Sequence, residues 1–131
     1  MWRVVGALLI GFAAAGLVGC RSAPLYDVVD APVVKPPRGE ALTANQVKTA
    51  ILQAGKTLGW QMEEVQPFLL QGTLLWDNHT AQVNIPYSAE RYSIVYKDSR
   101  NLNYDGTNIH KNYNVFIQTL DRQIKSQMLQ Q

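Results

Sequence analysis

The chain has 131 residues, with 12 Lys or Arg against 10 Asp or Glu and a formal net charge of +2. That balance produces no strong field, and the bases are scattered, so nucleic acid is excluded as an expected partner. A single cysteine, Cys20, excludes an intramolecular disulfide.

The chain opens with one positive charge, Arg3, ahead of an uncharged run from Val4 to Val18 that closes in small residues. Such a run is shorter than the roughly 20 residues a spanning helix needs, and the layout predicts a secretory signal peptide over residues 1–19. The run ends in Leu17-Val18-Gly19-Cys20. This tetrad resembles the lipobox of bacterial lipoproteins. The resemblance implies cleavage before Cys20 and acylation of that residue, which also disposes of a thiol that would be a liability in an oxidising compartment. Two or more acyl chains hold a protein stably at a bilayer, at about 0.8 kcal/mol per buried methylene. By the same resemblance, Arg21 in place of an aspartate directly after the cysteine favours the outer membrane over retention at the inner one.

Residues 21–40 carry Pro24, Pro32, Pro36 and Pro37 and no surviving helical or alternating pattern. With Cys20 they are expected to form a disordered tether able to reach about 60 Å when extended at roughly 3.1 Å per residue. Val28, Val29, Val33 and Val34 support a second reading, in which part of the segment docks as an edge strand. Residues 41–131 then form one globular domain with one modest core.

Within that domain Thr43 to Leu58 reads as a helix. Thr43 and Gln46 have capping-box spacing, Val47, Ile51, Ala54 and Leu58 share a face, and Gly59 ends it. Strands are expected over Trp60–Val65, Leu69–Trp76, Thr80–Ile85 and Arg91–Lys97, with Asp77-Asn78 as a tight turn. Ala81, Val83 and Ile85 alternate with Thr80, Gln82 and Asn84, which predicts one wet face. Ile109, Tyr113, Phe116, Ile117, Leu120, Ile124 and Met128 define a final amphipathic helix capped by Asn108. Helix, antiparallel meander of three or four strands, and helix predict an α+β two-layer sandwich with both helices on one sheet face.

The densest polar stretch is Lys97-Asp98-Ser99-Arg100-Asn101-Leu102-Asn103-Tyr104-Asp105-Gly106. Ser99, His79 or His110, and Asp98 or Asp105 supply the residue types of a nucleophilic triad, but no nucleophile elbow or comparable frame surrounds them. Asn101, Asn103, Asp105 and Gly106 match the opening of an EF-hand-type calcium loop. The closing bidentate position is Asn112, however, and Lys111 adds repulsion. His79 and His110 lack zinc-ligand spacing. No metal, cofactor or catalytic residue is therefore expected, and turn chemistry accounts for all of the stretch except Arg100 and Tyr104.

Tyr87, Tyr92, Tyr96, Tyr104 and Tyr113 cluster between the third strand and the last helix. Arg100, Tyr104 and Asn114 are the expected binding surface, since tyrosine with arginine and asparagine is the mix recognition sites use. The stretch from Tyr92 to Asn114 is also similar to one in small lipoproteins of proteobacteria that carry no assigned activity. The expectation is a non-enzymatic outer-membrane lipoprotein, facing the periplasm and anchored at Cys20. It would serve as an envelope accessory or assembly factor that contacts a protein partner through its sheet face or the stretch from Lys97 to Asn108. A small-ligand or glycan-binding domain is the first alternative, and an enzyme with a site at the strand-to-helix loop the second.

Overall fold

The computed structural model describes residues 21–131; the expected signal peptide and Cys20 lie outside the described residues. Helix α1 (Ala44–Leu58) begins where its cap dictates. Thr43 Oγ1 accepts from the Gln46 amide at 3.2 Å, and Gln46 Oε1 accepts from the Thr43 amide at 3.0 Å. Two amides that no helical carbonyl can reach are thereby satisfied. The helix stops at Gly59, whose φ of 84° only glycine adopts without strain.

Strands β3 (Gln61–Gln66), β4 (Leu69–Trp76), β5 (His79–Pro86) and β6 (Arg91–Arg100) follow as an antiparallel meander. Leu70 and Leu74, Ala81, Val83 and Ile85, and Tyr92 and Ile94 are buried along one face, whereas Gln71, Thr73, Thr80, Gln82 and Asn84 are only half-buried along the other. The buried face joins Val47, Ala50, Ile51 and Ala54 of α1 in one core with Ile117, Leu120 and Ile124 of α2 (Lys111–Met128). The fold is the α+β sandwich that the alternating pattern predicts.

Strand β6 runs three residues beyond its expected end. The register moves from Val83 opposite Tyr96 to Gln82 opposite Asp98, which leaves Lys97 as the extra residue of a bulge. The bulge preserves Tyr96 on the inner face and returns Asp98 and Arg100 to the open one.

The largest departure from expectation is residues 21–40. They do not form a disordered tether; the edge-strand reading holds for much of them. Strand β2 (Val28–Pro32) adds to the free side of β6, giving the sheet order β2-β6-β5-β4-β3. A bulge at Asp30, φ 50°, turns its amide to Ser93 Oγ at 2.9 Å, and Arg91 donates to the Asp30 carbonyl at 3.1 Å. Strand β1 (Ser22–Pro24) pairs with β7 (Asn108–His110), Ser22 opposite His110. Pro24 and Pro32 end their strands, where a missing donor interrupts no ladder. Downstream, Pro36 and Leu42 are buried, and Val33 and Val34 pack on the core.

Strand β7 also moves the last cap. The Asn108 amide donates to Asp105 Oδ1 and its carbonyl receives the Asp105 amide, so Asn108 closes a turn. His110 is the N-cap, its Nδ1 accepting from the Asn112 amide at 3.1 Å. Ile109, read as the first helical apolar residue, is a fully buried strand residue instead. No helix of the described residues is long and apolar enough to cross a membrane.

Candidate binding surface

The connection between β6 and β7 is held at several points by local chemistry. Asn101 and Asn103 adopt left-handed backbone, with φ of 59° and 51°, as short amide side chains tolerate. Asn101 donates to the Asn78 carbonyl at 2.6 Å, and His79 Nδ1 donates to the Asn101 carbonyl at 2.7 Å, which fastens the connection to the β4–β5 turn. Leu102 plugs into the core at 1 % exposure. Asp105 Oδ1 accepts the Thr107 and Asn108 amides at 2.9 and 2.7 Å. These amides, that of Asn108 foremost, hold the Asp105 carboxyl below its ordinary range.

Tyr104 lies on this scaffold, 37 % exposed, its ring 4.2 Å from that of Tyr96. Tyr96 meets Tyr113 edge-on at 5.7 Å and is bonded through its hydroxyl to Ser99 Oγ at 2.8 Å. Burial raises the Tyr96 phenol above its usual range. Tyr96, Ser99, Asn101, Asn103 and Tyr104 line a polar concavity of about 470 Å3 that Asp98 completes. Arg100 lines a neighbouring one of about 300 Å3 on the open sheet face, with Thr80, Gln82 and again Asp98 and Ser99. Arg100 and Tyr104 thus flank a shared Asp98-Ser99 wall.

Asn114 has a different place. Its Oδ1 accepts from the Tyr26 amide at 2.9 Å, and its Nδ2 donates to the Pro24 carbonyl at 2.8 Å, so its side chain clamps the N-terminal strands to α2. Neither concavity includes it. Nothing in the spacing of Asn114 from Arg100 or Tyr104 signals a bond to residues ninety positions upstream.

The other residues weighed for chemistry are engaged locally. His110 caps α2, and its ring centroid stands 6.2 Å from that of His79. Among the described residues no group of three His, Cys, Asp or Glu side chains gathers as metal ligands would. Tyr87, Tyr92 and Tyr113 are buried.

One further surface has no forerunner in the sequence pattern. Strand β3 pairs with β4 alone and ends the sheet. At its tip Phe68 is 58 % exposed with φ 65°, a conformation that costs a bulky side chain energy, and Val65 stands exposed three residues before it. The Phe68 carbonyl accepts from the Tyr87 amide at 3.0 Å, and the two rings meet edge-on at 5.9 Å.

No protein-family model, curated protein or solved structure matches this chain.

Proposed function

We propose that this is a lipid-anchored, non-enzymatic protein of the outer membrane that works by binding another envelope protein. The observation that carries the reading is the β3 edge and its tip. The unpaired edge of a terminal strand offers a row of backbone donors and acceptors to a partner strand. Phe68 beside it is a large apolar side chain held in solvent by strained backbone, an arrangement that stability alone does not favour. The anchor at Cys20 rests on the Leu17-Val18-Gly19-Cys20 resemblance.

Crosslinking in intact cells tests it. A photoreactive residue at Phe68 should give a discrete protein adduct. If Phe68, Val65 and Tyr104 all give none, the partner reading fails at every surface that supports it. Labelled fatty acid should enter the natural chain and not Cys20→Ser; equal labelling of both removes the anchor. A second reading, a small polar ligand or glycan, draws on the Tyr96–Tyr104 stack beside the 470 Å3 concavity. It predicts saturable quenching or shift of Tyr104 signals by sugars.

A further inference from the structure

At the end of β4 remote from Phe68, an apolar groove of about 440 Å3 opens between the last turn of α1 and the first turns of α2. Leu58, Leu74, Leu75, Trp76, Val115 and Phe116 line it. Trp76 and Phe116 meet edge-on with ring centroids 4.6 Å apart, and Leu75 and Val115 stand at the rim, 60 % and 52 % exposed. Single exposed apolar residues are ordinary, but two flanking an aromatic-floored groove form a patch. The rim is basic. Lys111, Val115 and Arg122 share one exposed stripe of α2, and Arg122 bonds Thr119 Oγ1 at 3.2 Å where Thr119 enters the groove wall. Lys56 lies in the last turn of α1, two residues before Leu58.

The chain enters the domain at this same end. Ser22 pairs with His110, directly before Lys111. The His110 ring stands 6.2 Å from His79, and His79 stands 5.3 Å from Trp76. Cys20 precedes Ser22 by two residues, which span at most about 7 Å of extended chain. An anchor at Cys20 therefore leaves almost no leash, and the groove's end of the molecule is the end that faces the bilayer.

We infer that the groove and its basic rim lie against the lipid surface that holds the N-terminus; this rests on the reading of Cys20 as the lipid attachment site. Leu75, Trp76, Val115 and Phe116 enter the boundary between headgroups and acyl chains, and Arg21, Lys111 and Arg122 meet the phosphates. Aromatic rings with apolar neighbours and Lys or Arg at their margin are the composition that bilayer interfaces select, and anionic headgroups complement the rim. The Phe68 tip then points away from the membrane, about 24 Å distant along the eight residues of β4.

A photoreactive residue at Val115 of the full chain in cells tests the inference, with the adduct identified by mass. Phospholipid adducts are expected at Val115, several-fold above those from the same probe at Phe68. A protein adduct, an adduct to residues 1–19 of the same chain, no adduct, or equal lipid adducts at both positions overturns it. The mass of Cys20 in the same sample separates the two readings. If Cys20 proves unacylated, the anchor reading fails by itself. The groove is then decided by coupling the Cys20 thiol to a maleimide phospholipid in vesicles containing phosphatidylglycerol and repeating the Val115 crosslink, where a lipid adduct supports the inference and its loss overturns it.

Discussion

Tyr92 donates its hydroxyl to the Asp121 carboxylate at 2.5 Å, joining β6 to α2 through the core. Asp121 is only 8 % exposed, and its other oxygen receives Lys125 Nζ at 2.9 Å. Burial foremost, and then the bond to Asp121, pushes the Tyr92 phenol far above its usual range. In Tyr92→Phe the carboxylate stays in place with one donor fewer. The expected loss is about 1.5–3 kcal/mol, the range for hydrogen bonds to charged groups, read as a lower urea midpoint. An unchanged midpoint would show that the bond adds nothing to stability.

Tyr113 predicts the opposite sign. It is fully buried, yet its hydroxyl has no hydrogen-bond partner among the described residues. Tyr113→Phe removes a desolvated polar atom and keeps the ring against Tyr96, so stability should hold or rise by up to about 1 kcal/mol. Calorimetry decides it; a clear fall in Tm places a bond at that oxygen.

Asn114→Ala should loosen one end of the molecule and leave the sheet intact. The two bonds to Pro24 and Tyr26 together are worth about 1–2 kcal/mol locally. Hydrogen exchange at Leu25 and Tyr26 should quicken, with amides of β4 and β5 unaffected. Uniform acceleration across the sheet would mean that the N-terminal strands are integral to global stability.

The Asp105 turn should open in acid. Its folded carboxyl titrates below the ordinary carboxylate range because backbone amides donate to it. The stabilisation is thus present above the unfolded carboxylate pKa and is lost as pH falls through the depressed folded value. NMR of the Thr107 and Asn108 amides from about pH 6 to about pH 2 should follow that loss. Asp105→Asn, which keeps an acceptor but no titratable group, should give a flat profile; an unaltered one excludes Asp105 as the cause.

Elements with local determinants were legible. Thr43, Gln46 and Gly59 bound α1 through contacts within a few residues, and the alternation from Thr80 to Ile85 needs only one buried face. The N-terminal strands were legible only as the second of two readings, through the valines, because their stability comes from afar. Four prolines read as breakers, while the bonds that order the segment are made by Ser93, Tyr96 and Asn114, more than sixty residues away. Ile109 misled for a related reason: a buried strand residue just before a helix falls on the helix's own apolar period. At the candidate surface, turn propensities identified Asn101, Asn103, Asp105 and Gly106 as loop residues, but Asp98 and Ser99, read as turn residues too, belong to the end of β6. The exposure of Arg100 and Tyr104 together depends on the bulge at Lys97 and on Leu102 as a buried anchor, both properties of the assembled sheet.

The pairing of β1 and β2 also sets an order of events. Asn114 reaches back 88 and 90 residues to Tyr26 and Pro24, and Val28 waits for Ile94. Contacts of such sequence separation bear the full entropy of loop closure and form after the local hairpins of the meander. Strands β1 and β2 are therefore expected to be among the last elements to be structured, although they precede the meander in the chain. Docking of Ser22 against His110 is thus expected to come late, once residues as far along as Asn114 are in place.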